Sequence, residues 1–435
     1  MEDSGGLKED KPVVLFTSPV LRHPPLGGPT LRVENSIKAL SRVCRLHVYS
    51  RVSLGELGGA AGLSFYEQYC TEFSFAPLVS RRGGVAFFKM AADFVARRMI
   101  KRSIFRLAST KTEDLRPLLD VAKAVGANAI WLGYGNISYP ALKYIRRRSN
   151  YKVVVDTDSV WSRFVLRGLP FAQTPAERHE IEEAGRQKEE EERWGTQLAD
   201  VTTAVSEIDA EYYRGLAIDP RQIHIFSNAV DVEAYRRVPP PAKDLRRPCV
   251  YLAGTFFSPT CPMADAARWV VQEVLPLVRR HIPGLHFYIV GMGSDTILSD
   301  VRDPGITITG QVASVLPYLC HANAALVPLR FESGTRFKIL EAGACGVPVV
   351  STTLGAEGIP VTSGEDILIA DQAEAFADSI TTLLSYPDLG RSLAGNLKKL
   401  VEAQYSISAL AEQGRRILEY VGGLGSQERT GMHGG

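Results

Sequence analysis

Apolar and polar positions along the chain recur in one order: a short apolar run, a loop with glycine or proline, then a stretch with helical spacing. Residues 13–16 (Val-Val-Leu-Phe), between Pro12 and Ser18-Pro19, have the unbroken apolar character of a strand buried on both faces. A loop with Gly27-Gly28-Pro29, a helical pattern over 30–40 and a strand at 46–49 follow, predicting one βαβ unit. Further strands are predicted at 129–132 and 152–155, with a helix over 139–148 between them. Residues 176–198 are mostly Glu, Arg and Gln, which predicts a long exposed helix or part of a cleft wall; 201–205 reads as the last strand of this half. The tract Val238-Pro239-Pro240-Pro241-Ala242-Lys243 has the composition of a linker.

The alternation restarts at Cys249. Strands at 250–253, 286–290, 306–309 and 324–328 alternate with helices over 264–280, 315–321 and 338–345, which predicts a second doubly wound sheet. The fold class is therefore α/β, with two Rossmann-like domains, 1–235 and 236–405, facing a cleft at the carboxyl ends of their strands. The glycine-rich stretch 422–435 reads as a disordered tail.

Composition narrows the class. A net charge of +2 in 435 residues gives no general affinity for nucleic acid. The six cysteines (44, 70, 249, 261, 320, 345) form no CxxC pair and the eight histidines show no ligand spacing, so no metal site or disulfide framework is indicated. The first ten residues are polar, and no run reaches the roughly 18 apolar residues of a spanning helix; a cytoplasmic protein is expected. Over 87–106, Phe87, Phe88, Phe94 and Phe105 stand among Lys89, Arg97, Arg98, Lys101 and Arg102. That mixture suits an interfacial helix at the inner face of the cell membrane, and equally a helix packed on the first domain with a solvated cationic edge.

The chemistry concentrates in residues 331–351. Around Ser333-Gly334-Thr335 the backbone can turn without a large side chain in the way, leaving N–H groups to face an anion at a helix N-terminus. Arg336 and Lys338 add two full charges, and Glu341, two helical turns after Gly334, can accept both hydroxyls of a ribose. A nucleoside diphosphate needs those groups.

This segment resembles the donor motif of GT-B glycosyltransferases of the GT4 type, the group 1 family, in which two glutamates bracket a glycine turn. Here eight residues separate Glu332 from Glu341 where the family has seven, which puts Ser333 in the first glutamate's register. Companion elements are Ile225-Phe226-Ser227-Asn228-Ala229-Val230-Asp231, the strand-glycine run at 285–293, Gly310-Gln311-Val312 and Gly355-Ala356-Glu357-Gly358, so the resemblance covers about 225–420. It implies transfer of a sugar from a nucleoside-diphosphate sugar to a hydroxyl of a sugar, lipid-linked or other acceptor. Anomeric configuration would be retained, without a metal or any cofactor beyond the donor, in surface polysaccharide or glycolipid synthesis. The backbone at Gln311 and Val312 would read the base, Glu341 the ribose, and Arg336 and Lys338 the diphosphate. Gly27, Gly28, Gly254, Gly291, Ser333, Gly334 and Thr335 would line the donor.

The resemblance also implies a last helix, 408–420, crossing back to the first domain, and a hinge over 228–245. Asp156-Thr157-Asp158 matches the DxD metal motif of GT-A enzymes in pattern, and in position the His-Asp pair that faces the sugar in many GT4 enzymes; the histidine has no counterpart. Asp156 and Asp158 are the catalytic candidates beside Arg336 and Lys338. A sugar-nucleotide epimerase and a non-catalytic nucleotide-sugar-binding subunit are the alternatives.

Overall fold

The computed structural model describes residues 11–75 and 115–430, with side chains to 423. Strands β1 (Val13–Thr17), β2 (Arg45–Ser50), β3 (Glu72–Phe75), β4 (Ala129–Gly133), β5 (Lys152–Asp156), β6 (Val201–Ala204) and β7 (Ile223–Ile225) form one sheet in the order β3-β2-β1-β4-β5-β6-β7. Strands β8 (Cys249–Ala253), β9 (His286–Val290), β10 (Ile306–Ile308), β11 (Ala324–Val327), β12 (Val349–Ser351) and β13 (Leu368–Ile369) form the other, β10-β9-β8-β11-β12-β13. β1 runs parallel to β2 and β4, and β8 parallel to β9 and β11. The expected pair of doubly wound parallel sheets is therefore what folds. The apolar runs are buried as parallel strands require: Val14, Leu15, Phe16 and Trp131 in the first sheet, Val250, Leu252, Phe287 and Ile289 in the second.

By its internal contacts the chain divides into two compact units. One holds the described parts of 1–157, with 195–202 and 417–430; the other holds 158–194 and 203–416, including the whole second sheet. The polyproline tract belongs to the second unit, where Ala242 N–H donates to Pro317 O at 3.0 Å and a ring nitrogen of His321 lies 2.7 Å from Pro239 O. The last helix is Ile407–Thr430, so it runs on through residues read as tail. The segment 87–106 lies outside the described residues.

The helix expected over 264–280 is interrupted. It runs Pro262–Trp269, widens to a π-helix at Val270–Val274 and resumes at Leu275–His281. Pro276 stands just after the widened turn, and a proline ring cannot fit a regular i→i−4 ladder, so the extra residue in the turn absorbs it.

The long helix Pro175–Leu198 is polar as expected but carries one buried carboxylate. Glu192, 1% exposed, accepts from Trp161 N–H (2.7 Å), Ser162 N–H (3.2 Å), the Ser162 hydroxyl (2.5 Å) and the Tyr212 hydroxyl (2.8 Å). It thereby satisfies the first N–H groups of the short helix Trp161–Leu166. Burial raises its pKa, and the hydrogen bonds oppose that rise. Glu192→Ala leaves several buried donors without an acceptor and is expected to cost about 3 kcal/mol of stability, read as an earlier urea midpoint at unchanged slope. An unshifted midpoint would show that water replaces the carboxylate.

Candidate functional site

In the second sheet the strand order reverses between β8 and β11, and the loops leaving their carboxyl ends flank that switch point. Gly254 follows β8; the 328–336 loop follows β11 and enters the helix Phe337–Cys345. The topology thus brings together segments some 80 residues apart in sequence.

The turn needs its glycine twice over. Gly334 has φ +80°, and a Cβ there would lie 2.8 Å from Asp158 O and 2.9 Å from Ser159 Cβ. Two side chains pin the turn. Asn228 donates its amide to Thr335 O (3.1 Å) and Thr335 Oγ1 (2.8 Å). Arg167 donates to Glu332 O at 2.7 Å and holds Glu357 at two points, 2.8 Å each. Neither contact is legible from the motif, although Asn228 and Glu357 both lie in its companion elements.

Arg336 is the N-cap residue of the motif helix and is 5% exposed. Its guanidinium folds back to donate to Ser333 O (2.7 Å) and Gly334 O, so part of its hydrogen-bonding capacity shapes the turn itself. Burial lowers its pKa, while the carboxylates of Glu332, Glu357 and Asp209 oppose that shift; an arginine stays charged there. Asp209 is buried as well, with one oxygen 4.0 Å from Arg163. Among the described residues, Nε and Nη2 of Arg336 and the Ser333 hydroxyl have no hydrogen-bond partner. Buried donors are rarely left so, and three on one glycine turn at a helix N-terminus are suited to an anion.

Lys338 is the second residue of the helix and is half-buried, and no hydrogen bond or ion pair engages its ammonium among the described residues. Burial lowers its pKa, Glu332 opposes the shift and Arg336 adds to it. The loop's other cation, Arg330, is already paired with Asp265 at 2.5 and 2.9 Å. Glu341 is half-buried, and its Oε1 accepts from the Tyr235 hydroxyl at 2.8 Å. Burial raises the Glu341 pKa, with the Tyr235 hydrogen bond and Lys338 pulling it back. The carboxylate is therefore held from one side by a residue that sequence reasoning did not single out.

Gly291 adopts φ +130°, and a Cβ there would lie 2.0 Å from Gly254 O, so this glycine lets the ends of β8 and β9 meet backbone to backbone. Gly254 donates to Val290 O at 3.0 Å, and Gly291 to Gly310 O at 3.0 Å. Beyond Gly310, Gln311 is exposed and Val312 half-buried.

The first-half candidates sit differently. Gly27 is the N-cap of the helix Gly28–Leu40, where Thr30 Oγ1 accepts from Gly27 N–H (3.2 Å) and donates to Gly27 O (2.9 Å). Gly28 is thus the first helical residue. Asp156 ends β5, 1% exposed, and is ion-paired at 2.5 Å with the equally buried Arg32, which also donates to Thr157 O at 3.0 Å. Asp158 accepts from the Trp161 indole N–H at 3.1 Å. Each aspartate thus has its own cation or donor. Among the described residues no three His, Cys, Asp or Glu side chains converge as a metal ion requires, and no helix is long and apolar enough to cross a membrane.

The family model for glycosyl transferases, group 1, matches residues 248–386. Sucrose-phosphate synthase from Thermosynechococcus elongatus has a similar solved structure: TM-score 0.64, 16% identity, 95% of this chain and 100% of that one covered. HepE from Anabaena, in complex with UDP and glucose, gives 0.60 at 13% identity, covering 94% and 99%. The lipopolysaccharide outer core galactosyltransferase WaaB, in its apo form, gives 0.53 at 14% identity, covering 93% and 99%. At such identities the likeness shows the fold alone. No curated protein sequence matches the chain.

Proposed function

We propose that the chain is a glycosyltransferase of the group 1 kind, whose family model matches 248–386, and that its second sheet binds a nucleoside-diphosphate sugar at the 333–341 turn and helix. The observation that carries this is the set of donors on Ser333 and Arg336 that have no hydrogen-bond partner among the described residues, with the ammonium of Lys338, likewise unpaired among them, two residues on. In this reading the diphosphate lies against those groups and the helix N-terminus, Glu341 accepts from the ribose with its orientation fixed by Tyr235, and the backbone at Gln311 and Val312 meets the base. Gly291 shapes the floor by letting strand ends pack closely, and Gly254 by leaving room for the Met263 side chain. Charge grows on the diphosphate as the sugar departs, and fixed cations there stabilise that state without reorganising. The sugar passes to an acceptor hydroxyl with its anomeric configuration kept, in the making of a surface polysaccharide or glycolipid.

The proposed reaction needs no metal ion. Arg32 engages one oxygen of Asp156 and the Trp161 indole one oxygen of Asp158, which supports a structural part for the two aspartates. Nucleoside diphosphate released from a panel of nucleotide sugars, with and without lipid extract, tests the proposal. Release unchanged by EDTA is expected, whereas loss on chelation with recovery on manganese or magnesium would restore the DxD reading. The product's anomeric configuration, read by NMR, tests retention.

HepE's complexes with UDP and with UDP-glucose make UDP the first probe to use here. Glu341→Ala is expected to weaken UDP binding by about ten- to hundredfold, the loss of one charge-assisted contact of roughly 1.5–3 kcal/mol. Calorimetric titration checks this. Wild-type affinity in a folded Glu341→Ala protein would remove the ribose assignment.

A further inference from the structure

The cysteines, far apart in sequence, are not all apart in space. Cys320 follows the short helix Leu316–Leu319 as its C-cap, Cys345 is the last residue of the motif helix, and their sulfurs lie 3.6 Å apart. Both are half-buried, in contrast to the buried Cys44, Cys249 and Cys261. Cys345 stands one helical turn after Glu341, on the same face. We propose that Cys320 and Cys345 form an oxidisable dithiol, a modification site for peroxides and small disulfides, which closes into an intramolecular disulfide at the far end of the motif helix.

A disulfide bond is about 2.05 Å long, so the sulfurs must approach by roughly 1.5 Å. Both residues end their elements, where side-chain rotation and a small shift of the last turn disturb few other contacts. With a peroxide, one thiolate attacks an oxygen, giving a sulfenic acid and a leaving hydroxide or alkoxide. The second sulfur then displaces hydroxide from the sulfenic sulfur. The dithiol loses two electrons and two protons, and hydrogen peroxide becomes two waters. With a small disulfide the same bond forms through a mixed disulfide, releasing two thiols.

The chemistry of the pair differs from that of its neighbours. Contact with Cys345 lowers the Cys320 pKa, while burial pushes the Cys44 and Cys70 thiols up to about 12, which keeps those two protonated. Closure draws the end of the motif helix toward Cys320. Resting on the donor reading of that helix, oxidation should also weaken UDP binding, because Glu341 rides one turn away.

The test oxidises the whole protein with hydrogen peroxide, blocks remaining thiols and maps the peptides without reduction. Two of the six cysteines should be lost to a 320–345 linkage that dithiothreitol reverses. UDP affinity should fall by about fivefold, within the usual range of coupling between sites, and Cys320→Ser should show neither change. Cys345→Ser serves in its place if the first variant does not fold. Oxidation that leaves 320 and 345 unlinked overturns the proposal, and a linkage with unchanged UDP affinity overturns its coupling to the helix. Failure of the reduced protein to bind UDP would strike at the donor reading, and the linkage map would still decide the dithiol.

Discussion

Replacing Lys338 with methionine is expected to lower UDP affinity by about ten- to hundredfold while uridine affinity stays nearly unchanged, because one charge-assisted contact to phosphate is lost. The fold should survive, since the ammonium has no partner among the described residues and its removal strands no other group. A pH signature accompanies it. Burial lowers the Lys338 pKa, so raising the pH removes this charge before it would discharge an ordinary lysine, and UDP affinity should fall on that alkaline limb. Lys338→Arg should abolish the limb, because arginine stays protonated there. Equal losses for UDP and uridine in Lys338→Met would show that the lysine shapes the site as a whole and does not meet phosphate.

Arg336→Met is expected to be the most damaging single change, costing about 3–5 kcal/mol because it leaves buried opposite charges uncompensated. The guanidinium donates to two carbonyls of its own turn and sits among Glu332, Glu357 and Asp209, so its loss acts on the fold before it acts on a ligand. A stability from urea unfolding within about 1 kcal/mol of wild type would show that Arg167 and Arg163 suffice to neutralise these carboxylates. Together the two variants separate the cations: loss of UDP affinity with the fold kept is the outcome expected of Lys338→Met, and loss of both that of Arg336→Met.

That division was not visible in the sequence. A glycine turn followed by two cations and a carboxylate announces an anion site, but nothing in Gly334-Thr335-Arg336 says that the guanidinium folds inward to cap its own loop. The parallel strands were legible because 13–16 and 249–253 are apolar on both faces, a pattern that few other structures produce. The partners of the turn were not: Arg167 lies 165 residues from Glu332, and Asn228 107 from Thr335. Such contacts depend on how elements pack, and a local motif carries no record of that. Glu192 gave the opposite difficulty. In a run of exposed glutamates its own letter is no different from theirs, and only the buried end of the helix Trp161–Leu166 singles it out.

The central claim is that a nucleoside diphosphate rests on the 333–341 turn and helix, and amide hydrogen exchange with and without saturating UDP tests it without any mutation. Slowed exchange over 331–345 and at 310–313 is the predicted result. UDP that binds measurably while leaving exchange over 331–345 unchanged would contradict the account.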